Sequence, residues 1–102
     1  MKVYFDDDQL GYFYVTPLDK IKGKQEYPKS IIKQFKKKIQ LLKAERTVSD
    51  LQKHKALKFE YLKGNRKGQC SIRLNDQYRL VFIKITANEI AVSIIEISKH
   101  YE

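Results

Sequence analysis

The sequence predicts an α+β fold in which a short N-terminal strand and an αα-hairpin accompany a four-stranded antiparallel meander, with the helices packed on one face of the sheet. Three observations carry that expectation. Apolar residues recur at helical spacing between Pro28 and Glu45, the period changes to two after Ala56, and four alternating runs then follow one another across short connections. The chain is 102 residues long, enough to bury roughly two thirds of its unfolded surface in one core without covalent staples. With no internal repeat, low-complexity tract or linker, residues 1–102 read as a single domain.

Lys2 to Phe5 alternate weakly and read as the first strand. The aromatic stretch Tyr12-Phe13-Tyr14-Val15 ends at Pro17 and stays unassigned. From Pro28 onward, Ile31, Ile32, Phe35, Ile39 and Leu42 mark one face of a helix, while Lys29, Lys33, Lys36, Lys37, Gln40 and Lys43 occupy the others. Pro28 suits the first turn, where its missing N–H has no partner to lose. Thr47 and Asp50 have the form of a capping signal that starts a second short helix running to about His54. Leu57–Leu62, Gln69–Leu74, Tyr78–Ile85 and Glu89–Ser98 are rich in Ile, Val, Phe and Tyr and read as the four meander strands.

The hairpin after Leu74 has a register that chemistry decides. A two-residue loop would set Arg79 opposite Ile72, forcing a charge onto the face that Ile72 and Leu74 bury. A three-residue loop, Asn75-Asp76-Gln77, pairs Ile72 with Leu80 and Arg73 with Arg79. Like charges directly opposite one another destabilise a sheet, so this pairing suggests an anion held between the two guanidinium groups. Val81, Ile83 and Ile85 fall on the same face and need cover that the sequence does not identify.

Charge is unevenly spread. The total is 21 Lys and Arg against 12 Asp and Glu, for a net charge of +9. By segment the net charges are −3 over residues 1–19, +12 over 20–68 and 0 over 69–102. The positive field therefore originates in the middle of the chain, where it would attract a polyanion such as nucleic acid, although solvated lysine faces are also common in proteins with no such partner. The single cysteine, Cys70, excludes an intrachain disulfide and suits a reducing compartment. An acidic triplet at Asp6–Asp8 interrupts any secretory apolar core, and no apolar run approaches the length of a membrane span, so a cytoplasmic protein without membrane contact is expected.

Local motifs are individually weak. Leu62-Lys63-Gly64-Asn65-Arg66-Lys67-Gly68 frames three cations between glycines, as a phosphate-approaching loop or a plain hairpin connection would, but it lacks the spacing of a nucleotide-binding phosphate loop. The ending Lys99-His100-Tyr101 combines a cation, a group that exchanges protons near neutral pH and a phenol, in a position where a frayed tail is the default. His54 reads as a surface residue, Cys70 as a small buried one, and Asp6–Asp8 as a turn rather than a metal site.

Taken together, Leu62-Lys63-Gly64, Cys70-Ser71-Ile72-Arg73-Leu74-Asn75, Tyr78-Arg79-Leu80 and the terminal Lys99-His100-Tyr101 resemble the RelE/ParE superfamily of bacterial toxins, in particular its HigB-like branch, over roughly residues 28–102. The resemblance implies a RelE-like fold and the toxin of a type II toxin–antitoxin module. It also implies a metal-free, cofactor-free endoribonuclease that cuts messenger RNA on the translating ribosome. A cognate HigA-like helix-turn-helix antitoxin would hold the toxin inactive, and operator DNA would be reached only through that antitoxin. By position, Lys63 resembles the family's catalytic lysine and Arg79 its scissile-phosphate arginine. The chain departs from members ending in Asp-Tyr-His, and Glu60 or Tyr61 stands where some carry a histidine.

In such a reaction the RNA supplies its own 2′-hydroxyl nucleophile, and fixed cations stabilise the phosphorane. The resemblance implies an acid/base role for the terminal Lys99-His100-Tyr101; on the logic of the reaction, Lys63, Arg73 and Arg79 are expected to form a cationic cradle, His100 to transfer protons and Tyr101 to support it or stack on a base. Lys33, Lys36, Lys37, Lys43, Arg66, Lys67 and Lys99 are the expected RNA- and ribosome-contacting cations. Two alternatives stay open, a ParE-like gyrase poison and a non-catalytic RNA-binding module. Gyrase-dependent DNA breaks would mark the first, and RNA affinity without cleavage the second.

Overall fold

The computed structural model describes residues 1–99. Its regular elements are β1 (Lys2–Phe5), α1 (Asp8–Val15), α2 (Lys29–Ala44), β2 (Glu60–Tyr61), β3 (Gln69–Arg73), β4 (Tyr78–Lys84) and β5 (Ala91–Lys99). Strands β2 to β5 form the expected antiparallel meander. β1 adds a fifth strand, parallel to β5, to give the order β1-β5-β4-β3-β2, so the sheet is mixed rather than wholly antiparallel.

Helix α2 forms where the periodicity places it and buries Ile31, Ile32, Phe35, Ile39 and Leu42 against the sheet. Each such side chain contributes roughly 1.5–3 kcal/mol on leaving water. From the sheet, Ile72, Leu80, Phe82, Val92, Ile94 and Ile97 meet that face in one continuous core. Among the described residues, no helix is long and apolar enough to cross a membrane.

The helical partner of α2 differs from the expected one. The Thr47–Asp50 signal starts only a 3-10 turn, Ser49–Lys53, in which Leu51 alone is buried. Instead α1 packs on α2, built from the aromatic stretch that sequence periodicity left unassigned. The Asp7 carboxylate caps it by accepting the Gln9 amide hydrogen at 2.7 Å, which makes the acidic triplet a helix start and not merely a turn. At the other end of α1, the Lys36 ammonium donates to the carbonyls of Phe13, Tyr14 and Thr16 at 3.0, 2.7 and 2.7 Å.

The strand expected over Leu57–Leu62 shrinks to Glu60–Tyr61. Leu57 ends a 3-10 turn and turns into the core, and Lys58 follows in the left-handed conformation at φ 46°, which no strand accepts. On β5, Ile94 and Ile97 are both buried although three residues apart. Val81 pairs with Glu96 and Phe82 with Ile94, so Ile95 is the extra residue of a bulge that returns the later strand to register.

Candidate functional site

The hairpin register is the three-residue solution: Ile72 pairs with Leu80 and Arg73 with Arg79. Pairing across the sheet sets Glu60, Ser71, Arg73, Arg79, Val81, Glu96 and Ser98 on the face opposite the helices. Among the described residues the two arginines meet different carboxylates. Arg73 reaches Asp76 within its own hairpin, whereas Arg79 turns toward β2, where its Nη2 lies 3.3 Å from Glu60 Oε1 and donates to the Lys58 carbonyl. Separate carboxylates thus offset the repulsion that pairing like charges creates.

Arg79 is the most constrained cation of this face. Its Nε donates to Ser71 Oγ at 2.8 Å and its Nη2 to the Ser71 carbonyl at 3.4 Å, while only 12% of its side chain remains exposed. Burial pushes its pKa down, the Glu60 carboxylate opposes that shift, and Arg73 adds to it. A guanidinium ordinarily titrates so high that it stays charged regardless. The result is a fixed, partly desolvated positive charge, a condition in which electrostatic stabilisation is strongest.

Arg79 forms part of the wall of a cleft of about 250 Å³, together with Glu60, Leu62, Arg66, Ser71, Val81, Ser98 and Lys99. Arg66 leaves the 3-10 turn Gly64–Arg66 and pairs with Glu96 on β5, its Nε donating to Gln69 Oε1 at 2.9 Å. Val81, opposite Glu96 in the pairing, is buried on this face, whereas Ile85 stays exposed. Arg66, Arg79 and Lys99 therefore converge, although they come from a loop and two different strands.

The remaining sequence candidates lie elsewhere or outside the described residues. Lys63 and Lys67 line an adjoining cleft of about 380 Å³ with Tyr61, Cys70 and Lys84, separated from Arg79 by Leu62. Arg73 lines a smaller hollow with Lys58, Asn75 and Asp76, and Arg79 forms the wall between the two. On α2, Lys33, Lys37 and Lys43 are exposed, Lys43 over the Tyr14 ring at 4.6 Å, but Lys36 is engaged at the end of α1. His100 and Tyr101 lie outside the described residues. His54 is held by Glu45 at 2.8 Å, and Cys70 is buried, with its thiol pKa raised by that burial. Glu60 joins the site without any sequence motif that marks it as an active group. Its position opposite Ser71, and thus beside Arg79, depends on a two-residue strand that periodicity cannot locate.

A family model described as the RelE-like toxin of the type II toxin–antitoxin system HigB matches residues 3–96. The chain belongs to the HigB-like toxin family. Toxin HigB-1 of Vibrio cholerae serotype O1 is 40% identical over 82 residues, which is 80% of this chain and 82% of that protein. Two solved structures share the fold at lower identity. A YoeB/ParE toxin from Agrobacterium tumefaciens is 17% identical with a TM-score of 0.56, the alignment covering 99% of this chain and all of that one. A YoeB-YefM complex from Staphylococcus aureus is 21% identical with a TM-score of 0.57, over 99% and 98% of the respective chains. This HigB-like chain is thus a toxin of a type II toxin–antitoxin system.

Proposed function

We propose that this toxin is an endoribonuclease that cuts messenger RNA on the translating ribosome by attack of the RNA's own 2′-hydroxyl. The observation that carries the reading is the cleft where Arg79, fixed by Ser71, meets Arg66, Lys99 and the Glu60 carboxylate. In this scheme the guanidinium of Arg79 binds a non-bridging oxygen of the scissile phosphate and stabilises the dianionic phosphorane. Arg73, Lys63 and Lys99 extend the cationic cradle along the neighbouring backbone. In the same scheme Glu60, 3.3 Å from Arg79 and 56% exposed, accepts the 2′-hydroxyl proton. His100 delivers a proton to the leaving 5′-oxygen, with Tyr101 supporting it or stacking on a base.

Exposed cations of α2 dock on ribosomal RNA phosphates. Neutralisation falls to a cognate antitoxin of the HigA-like, helix-turn-helix type, and its acidic segments suit a basic toxin. The Staphylococcus aureus YoeB-YefM complex, of the same fold, is a toxin bound to an antitoxin.

The test is cleavage of a defined message in the ribosomal A site by purified toxin. Arg79→Ala should lower the rate at least about 100-fold, the range lost with one fixed oxyanion donor, while its circular dichroism at 25 °C stays that of a folded protein. Full activity in that variant refutes the assignment. Gyrase-dependent DNA breaks without RNA cleavage would transfer the function to the ParE-like class.

A further inference from the structure

A second cleft opens beside the first and shares Ser98 and Lys99 with it. Its volume is about 430 Å³, and Glu26, Tyr27, Tyr78, Glu96 and Ile97 complete its lining. Tyr27 and Tyr78 meet edge to face, with ring centroids 6.1 Å apart, and form a half-buried aromatic wall. The Tyr27 hydroxyl donates to the Ile97 carbonyl at 3.3 Å, which fixes the ring. Burial, and secondarily the charge of Glu26, raise the pKa of that phenol, so it keeps its proton at neutral pH. Glu96 is engaged by Arg66, but Glu26 is exposed and holds no ion pair among the described residues.

An aromatic wall, a free carboxylate and a lysine shared with a phosphate-binding cleft suit a nucleotide whose base is unstacked from its neighbours. We infer that this second cleft takes the nucleobase next to the cleaved bond, and that Glu26 selects guanine there. The inference rests on the ribonuclease reading and extends it to substrate choice. Guanine presents two adjacent donors, N1–H and the N2 amine, that one carboxylate can accept together. Adenine and cytosine set a ring acceptor beside their amine, and uracil flanks its single N–H with two carbonyl oxygens, so each brings a lone pair against the carboxylate. A basic side chain of a protein partner could also satisfy Glu26. Continuity with the cationic cleft through Lys99 favours the nucleobase.

The experiment uses the full-length toxin on ribosomes programmed with messages that differ only in the A-site codon, each position varied in turn through the four bases. At one position guanine should be cut at least about tenfold faster than uracil, the discrimination expected of a good bidentate contact. Glu26→Gln should reduce that ratio to within about twofold. The side chain is exposed, so the substitution leaves the core intact, and a thermal melt confirms folding. Equal cutting of all messages, or a guanine preference that survives Glu26→Gln, overturns the base subsite and leaves the ribonuclease reading standing. Loss of antitoxin binding in Glu26→Gln with an unchanged base ratio assigns the cleft to the protein partner and overturns it as well. If no message is cut, both readings fall together.

Discussion

Lys36 was expected among the RNA-binding cations, yet its ammonium reaches three carbonyls at the end of α1, at 2.7–3.0 Å. Replacing it with methionine keeps an apolar stem of similar reach and removes only the charged head. Hydrogen bonds to a charged group contribute about 1.5–3 kcal/mol each, so three at the lower end give roughly 4.5 kcal/mol. Ordering a lysine chain costs about 2 kcal/mol, and the released carbonyls recover part of the remainder from water. The net expectation is a loss of about 2 kcal/mol, which for a domain of this size lowers the melting temperature by about 10 °C. Thermal melts followed by circular dichroism at neutral pH measure it directly. Lys33→Met and Lys37→Met, on the exposed side of the same helix, should stay within about 0.5 kcal/mol of the parent. A Lys36→Met melt within about 2 °C of the parent would show that the ammonium does not hold α1 in place and would return Lys36 to the RNA-facing set.

Other expectations follow from the same geometry. Arg79→Ala leaves the buried Ser71 hydroxyl without its partner and should cost about 1–3 kcal/mol in denaturant unfolding, besides its effect on cleavage. Arg79→Lys should recover little activity although it keeps the charge, because one ammonium cannot hold Ser71, Lys58 and Glu60 in the geometry of a planar fork. Substituting Lys33, Lys37 and Lys43 together with alanine should flatten the dependence of ribosome binding on salt, and an unchanged slope would remove α2 from the docking surface. Glu89 bonds the Ser49 hydroxyl and pairs with Lys84, which holds its pKa below the ordinary glutamate value. Its contribution is therefore present at neutral pH and fades as pH falls through that lowered pKa. Glu89→Ala should melt a few degrees lower at pH 7, in line with the loss of about 1 kcal/mol of hydrogen bonding, with the gap closing in acid.

Much of the fold was legible because local pattern and burial agree. The five buried apolar residues of α2 sit at the helical spacing that the sequence displays, and the Arg73–Arg79 pairing follows from keeping Ile72 and Leu80 on one face. α1 was not legible: Tyr12, Phe13, Tyr14 and Val15 favour strands intrinsically, and packing against α2 with the Asp7 cap outweighs that preference. The Thr47 signal misled in the opposite direction, since only Val48 and Leu51 anchor that segment and the chain must turn back toward β2. The parallel pairing of β1 with β5 joins residues some 90 positions apart, and no local period encodes such a partner.

The candidate site was legible in part for the same reason. Arg79 stood out through its strand register, and Lys99 through its motif. The convergence of Arg66 on that cleft needed a side chain from the β2–β3 connection to meet Glu96 on β5, beyond the intervening β3 and β4. The divergence of Lys63 follows from Leu62, which separates the two clefts and turns the next residue away from Arg79.

The most direct test of the account is the chemical identity of the ends left on a message cut by the purified toxin on ribosomes. Attack by the 2′-hydroxyl within the Arg79 cleft predicts a 2′,3′-cyclic phosphate, or the 3′-phosphate formed from it, on the upstream fragment and a 5′-hydroxyl on the downstream one. A 5′-phosphate with a free 3′-hydroxyl would mean that water, not the RNA, is the nucleophile, and would contradict the mechanism.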